Sequence, residues 1–168
     1  MNLKRRPGLL LFALLGLCLA LFSQGLAAIV EAKDLAAGDT VPAFSAPDQF
    51  GTNYTFAPGP KFLILAFDMD ASKAANAKFT ALGQGGLDKL GIVYVMDIHP
   101  MPAIGRFFAL PKMRKYPFRV VLGETAGLLT PFPRQESKLT VLVLAPNGAI
   151  RAVHYWNPGA ETLEKILE

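Results

Sequence analysis

Asp68, Asp70, Ser72 and Lys73 crowd into a short stretch that follows the apolar run 62–67. Two carboxylates, a hydroxyl and an amine at the end of a buried strand can exchange protons or hold a polar ligand, and open α/β folds place ligands at this edge. The same residue types also serve structure. A hydroxyl or carboxylate at a helix start satisfies free backbone N–H groups, and a carboxylate there is favoured by the helix dipole. Ser72 or Asp70 is therefore expected as a helix cap, while Asp68, Asp70, Ser72 and Lys73 together form a candidate polar site. Two acids one residue apart also suit a hard cation. No glycine-rich loop with further acids completes such a site, so neither metal nor cofactor is expected.

A second set is cationic. Arg106, Lys112, Arg114, Lys115 and Arg119 gather in a stretch with no acid between Asp97 and Glu124, interleaved with Phe107, Phe108, Tyr116 and Phe118. Such a run is usually a solvated face; it is also a surface able to bind an acidic partner. Pro111 and Pro117 interrupt any helix through it, so the cations should spread over a helix end and the next loop. Other chemistry finds no support. His99 and His154 lack metal-ligand spacing, and no GxSxG elbow surrounds a serine. Gly83-Gln84-Gly85-Gly86 follows a helical stretch rather than a strand, so it is no dinucleotide fingerprint.

The N-terminus narrows the chemistry further. Lys4, Arg5 and Arg6 precede the apolar run 9–22, and small residues follow at Gly25, Ala27 and Ala28. This is the charged region, apolar region and cleavage site of a secretory signal, removed after Ala27 or Ala28, or later after Ala32. The alternative is an uncleaved anchor, with Ser23-Gln24-Gly25 interrupting a run close to the ~20 residues that span a bilayer. Cleavage removes Lys4, Arg5 and Arg6, leaving 14 basic against 13 acidic residues and lowering the formal charge from +4 to +1. The whole-chain pI near 9.3 thus gives no reason to expect nucleic acid as a partner. The only cysteine, Cys18, lies inside the apolar run. A lipoprotein signal needs a small residue before that cysteine, and Leu17 stands there. The cleaved chain would contain no thiol, which excludes disulfides, thiolate catalysis and cysteine-ligated zinc together.

The remaining elements read in order. Short alternating runs on both sides of Asp48-Gln49-Phe50-Gly51 predict a β-hairpin. The apolar strand 62–67 follows Pro58-Gly59-Pro60, then a helix over 71–82 with Ala71, Ala74, Ala75, Phe79 and Leu82 on one face, then a strand over 92–98. Strand, helix, strand implies a right-handed parallel unit with 62–67 central and covered on both faces. A second helix is expected over 106–115, cut short by Pro111, and a short strand over 118–122. Residues 139–144 and 149–155 flank Pro146-Asn147-Gly148, a hairpin signal. Asn157-Pro158 should open a last helix as N-cap and first residue, running to Leu167. Tyr155 and Trp156 should pack that helix on the sheet.

This order is that of an α/β thioredoxin-like sandwich, with a central mixed sheet and an N-terminal β-hairpin extension. Residues 36–168 form the domain and 1–27 the signal peptide. "AGDTVPAFSAPDQFG" resembles the opening of the peroxiredoxin and thiol-disulfide branch of that superfamily, and "KLTVLVLAPNGAIRAV" resembles its late hairpin. "ASKAANAKFTAL", "MDIHPMPAIGRFFALPKMRKYPF" and "VVLGETAGLLTPFPRQESKLTVLVLAPNG" resemble, in order, segments of the YtfJ-type exported thioredoxin-like family. That resemblance implies this fold and a periplasmic location, and brings no established reaction.

In thiol oxidoreductases the junction after the central strand carries the reactive cysteine. Here Ser72 and Ala75 stand where a CxxC pair would, and a hydroxyl cannot form the mixed disulfide that exchange requires. Peroxidase chemistry needs Pro, Thr and Cys along this turn, and Met69, Lys73 and Asn76 hold those places. Lys138 precedes Leu139 where the superfamily carries its cis-proline. Two functions remain open. One is a non-catalytic binding or adaptor protein of the periplasm that holds another protein or a small ligand, with membrane contact only through an uncleaved signal. The other is an enzyme with thiol-free chemistry at Asp68, Asp70, Ser72 and Lys73.

Overall fold

The computed structural model describes residues 33–167, and the expected signal segment with Cys18 lies outside them. The described residues form one compact unit. Its strands are β1 (Ser45–Pro47), β2 (Asn53–Thr55), β3 (Phe62–Ala66), β4 (Ile92–Asp97), β5 (Val121–Gly123), β6 (Leu139–Leu144) and β7 (Ile150–Trp156). Its helices are α1 (Met69–Leu90), α2 (Ala103–Met113) and α3 (Leu163–Leu167).

The central sheet has the order β5-β4-β3-β6-β7. β3 pairs parallel with β4 and antiparallel with β6; β4 and β5 are parallel, and β6 and β7 antiparallel. Every residue of β3 is buried, as an apolar strand covered on both faces must be. Its side chains alternate. Phe62, Ile64 and Ala66 join Ala71, Ala75 and Phe79 of α1 in one core. Leu63 and Leu65 join Phe44, Ala46 and Phe56 of the N-terminal hairpin, with Leu129 and Phe132, in the other. The hairpin is thus the lid of the second core, with Phe44 stacked on Phe56 at 5.2 Å and edge-on to Phe132 at 6.5 Å.

The hairpin turn also finishes the sheet edge. Gln49 is fully buried and uses its amide as a strand substitute, donating from Nε2 to the Phe118 carbonyl (2.7 Å) and accepting at Oε1 from the Val120 amide (2.9 Å). Its main-chain N–H donates to the Val120 carbonyl (3.2 Å). This is why β5 starts only at Val121, later than the expected 118–122.

Three helix expectations change. α1 is two helical segments joined at a kink: Gly83, at φ 62°, ψ 178°, is non-helical, so the first segment stops where the expected 71–82 helix does and a second, unexpected segment continues to Leu90. That left-handed φ costs glycine little. Gly91, at φ 70°, closes the helix in the left-handed conformation usual at a C-terminus. α2 begins earlier than expected and continues past Pro111, which lies in its last turn and supplies no N–H to the Phe107 carbonyl. Finally, Asn157-Pro158 does not start the last helix. Asn157 Oδ1 instead accepts from the Gly159 amide in a local turn. The short α3 is capped by the Thr162 hydroxyl, 3.4 Å from the Lys165 amide, with Leu163 buried beneath it.

Candidate functional site

The first site residues sit where β3 hands over to α1. Asp68 is the N-cap: its Oδ1 accepts from the amides of Asp70 and Ala71, both at 2.9 Å. Ser72 is not the cap, and neither is Asp70. The Ser72 hydroxyl turns back and donates to the Asp68 carbonyl, which already accepts the Ser72 amide. Asp70 and Lys73 point to solvent and pair with each other at 2.8 Å. Lys73 donates that bond and so holds the Asp70 carboxyl below its ordinary range; Asp70 in turn raises the Lys73 ammonium. The four residues are adjacent but divided in purpose: a cap, a back-bonded hydroxyl and a surface ion pair. They do not form a nucleophile with a base.

A groove opens on the adjacent faces of α1 and α2. Its volume is about 260 Å³. Met69, Ser72, Lys73 and Asn76 come from α1, at the spacing of one helix face. Gly105, Phe108, Ala109, Lys112 and Met113 come from α2, Met101 from the loop before it, Met96 from β4 and Tyr116 from beyond α2. All four methionines among the described residues line this one groove. Thioethers on unbranched chains adapt to irregular apolar partners. Its only charged lining groups are Lys73 and Lys112.

A polar cluster lies in its wall and floor. Asn76 is buried, and its Nδ2 donates to the Tyr116 hydroxyl at 3.1 Å. Its Oδ1 has no partner among the described residues. The Tyr94 hydroxyl, fully buried below, has none either. Burial pushes the Tyr94 phenol well above its ordinary value; Ser72 opposes this and Tyr116 adds to it. Ser72 lies close enough to lower the phenol's pKa; its proton goes to the Asp68 carbonyl, which leaves its oxygen able to accept but outside hydrogen-bond geometry with Tyr94. Buried polar atoms are usually satisfied, so two orphans beside the expected redox position mark this as an unusual part of the core.

The cationic residues divide as well. Arg106 is pinned, its Nε donating to the Met101 carbonyl (2.9 Å) and its Nη2 to the His99 carbonyl (2.8 Å). Arg114 donates from Nε to the Gln49 carbonyl, joining α2 to the hairpin turn. Arg119 lies 3.7 Å from buried Asp48 and over the Tyr54 ring. Lys112 and Lys115 have no ion-pair partner among the described residues. The five therefore spread over α2, its end and the following loop, but three of them hold the fold together. His99 and His154 are exposed and stand apart, with β3 and β6 between their strands. Trp156 is buried and donates to the Glu161 carbonyl (3.3 Å), while Leu163 joins the same core. No group of metal-binding acids, histidines and cysteines occurs among the described residues.

Sequence reasoning missed Asn76, Tyr94 and the methionine lining. Ser72 and Asn76 were detectable: they fall on the buried stripe with Ala71, Ala75 and Phe79, two polar residues on an apolar face. The methionines had no shared pattern because they come from separate elements.

No protein-family model matches the chain, and no curated protein matches it. Solved structures do. A putative thiol:disulfide interchange protein DsbE from Chlorobium tepidum superposes with a TM-score of 0.54 at 14% identity, covering 80% of this chain and 96% of that one. The fold is thioredoxin-like. Peroxidoxin BcpB from Mycobacterium tuberculosis gives 0.54 at 16% identity over 79% of this chain and 94% of its own. The thioredoxin domain of the thiol-disulfide oxidoreductase BVU-2223 from Bacteroides vulgatus gives 0.52 at 15% identity over 80% and 100%. At these identities the likeness is one of fold. The expected thioredoxin-like sandwich with its hairpin extension is present, and its thiols are not: residues 33–167 contain no cysteine.

Proposed function

We propose that this chain is an exported, non-catalytic thioredoxin-like binding protein whose ligand site is the groove between α1 and α2. The observation that carries the reading is the groove itself, at the strand-to-helix junction where thiol enzymes keep their reactive cysteine. It is concave, mostly apolar, and carries a few polar lining residues, Ser72, Asn76 and Tyr116, beside Lys73 and Lys112, which is the usual make-up of a binding site. The signal-like residues 1–27 and the resemblance to YtfJ-type proteins support a periplasmic setting. Asp68, Ser72 and the Asp70–Lys73 pair have structural partners, which favours binding over thiol-free catalysis.

Filling the groove tests the reading. Ala109 lines it and is half-buried. Ala109→Trp should leave a folded protein that no longer retains the partner or ligand recovered with wild type from native periplasm. A folded Ala109→Trp protein that retains the same species would overturn the groove as the site. Robust insulin-disulfide reduction by purified protein would overturn the non-catalytic reading.

A further inference from the structure

The outer face of α2 extends beyond that groove, sharing with it only Phe108 and Lys112. Ile104, Phe107 and Phe108 occupy i, i+3 and i+4 and are 66%, 70% and 61% exposed. The two rings touch edge to face at 5.3 Å, and exposed Pro111 continues the stripe by one turn. On the opposite side Met113 is buried, with Ala109 and Leu110 packed on the core. The stripe therefore projects outward, and of its residues only Phe108 also reaches the groove, as does the neighbouring Lys112. Isolated exposed apolar residues need no explanation, but a contiguous cluster of large ones marks a contact surface. None of these side chains carries a hydrogen-bonding group. Beside them stand Lys112 and Lys115, exposed and without ion-pair partners among the described residues, in a stretch with no acid between Asp97 and Glu124.

We infer that this face seats the protein on an anionic lipid surface. Ile104, Phe107 and Phe108 enter the boundary between headgroups and acyl chains, while Lys112 and Lys115 meet lipid phosphates. A convex stripe made only of carbon suits a fluid apolar phase, which needs no complementary shape and offers no polar group to satisfy. Paired with cations on flexible stems, it is the combination by which peripheral proteins hold anionic membranes. No helix among the described residues is long and apolar enough to cross a bilayer. The contact is therefore superficial, and it is independent of the leader.

The test uses the chain from Ala32 onward, which carries both cores, so that the apolar leader cannot bind lipid. It is sedimented with vesicles of phosphatidylglycerol and phosphatidylethanolamine, or of phosphatidylcholine alone. Binding should appear on the anionic vesicles and fall with added salt. Ile104→Ser with Phe107→Ser, the Phe variant that leaves the groove lining intact, should abolish it. Lys112→Glu with Lys115→Glu should weaken it at least about tenfold, with thermal melting confirming that both variants fold. Ala109→Trp should bind vesicles as wild type does, so failure of the groove reading would leave this one standing. No binding to anionic vesicles, or unchanged binding by the folded Phe variant, would overturn the proposal. If vesicles fail while the Phe variant loses an acidic protein partner, the face is a protein interface and the lipid assignment is wrong.

Discussion

Replacing Tyr94 by Phe should stabilise the protein, and more so in alkali. The Tyr94 ring packs between Phe79 (4.9 Å) and Phe118 (6.3 Å), contacts that Phe retains. Its hydroxyl is buried with no partner in hydrogen-bond geometry among the described residues, Ser72 being the polar neighbour that acts on it. A buried, unsatisfied polar group costs about 1–3 kcal/mol, and removing it without changing shape recovers part of that. The expected gain at neutral pH is about 1 kcal/mol, a rise of a few degrees in Tm. The pH dependence follows from the raised phenol. Below its ordinary value of 10.0, folded and unfolded chains both keep the proton, and this residue adds no slope. Above it, only the unfolded chain releases the proton, so wild-type stability falls as pH rises toward the folded value. That loss is about 1.4 kcal/mol per pH unit. Tyr54, also raised by burial, contributes equally to both proteins and cancels in their difference. Urea unfolding of both proteins, at neutral pH and at two values above 10, measures the effect. A Tyr94→Phe protein less stable than wild type at neutral pH would show that the hydroxyl makes a favourable bond. A gap that stays constant through the alkaline range would refute the burial argument.

Asp68→Ala should cost about 1 kcal/mol as a lost cap, whereas Ser72→Ala should cost clearly less; equal losses in chemical denaturation would contradict the assignment of Asp68 as the cap. Gln49→Ala should lose about 2–3 kcal/mol, because it strands the Phe118 carbonyl and Val120 amide at the sheet edge, and amide exchange at Val120 should accelerate. Gly83→Ala should destabilise by about 1–3 kcal/mol from its backbone conformation alone, because φ 62°, ψ 178° is essentially restricted to glycine while its new Cβ would meet nothing nearer than 3.9 Å. Exchanging Asp70 and Lys73 for Asn and Gln should be nearly silent in melting experiments, as expected for an exposed pair.

How much of this was readable beforehand depended on whether the cause was local. Apolar runs at 62–67 and 139–144, the hairpin signals and the strand–helix–strand order specified the thioredoxin-like sheet, because periodicity and turn chemistry act over a few residues. The lack of cysteine over residues 33–167 was also visible, since it can be read directly from the sequence. Capping was recognised at the right junction but assigned to Ser72 or Asp70. Which side chain caps depends on where the helix starts, and that was settled by the burial of β3 and of Ala71 against it. The last helix failed for a similar reason: Asn157 satisfied its own turn locally, and the start passed to Thr162 and buried Leu163.

The candidate site was the least legible part, because it is made by distant residues. Arg106, Arg114 and Arg119 looked equivalent to Lys112 and Lys115 in sequence. Only the fold put carbonyls and Asp48 within reach of the arginines and left the lysines free. The groove joins α1, β4 and α2, and no linear pattern announces that four methionines will meet there. Composition and local pattern therefore determined the architecture and the absence of cysteine from residues 33–167. Tertiary packing decided which polar atoms were spent on structure, and which, like Asn76 Oδ1, were left unsatisfied.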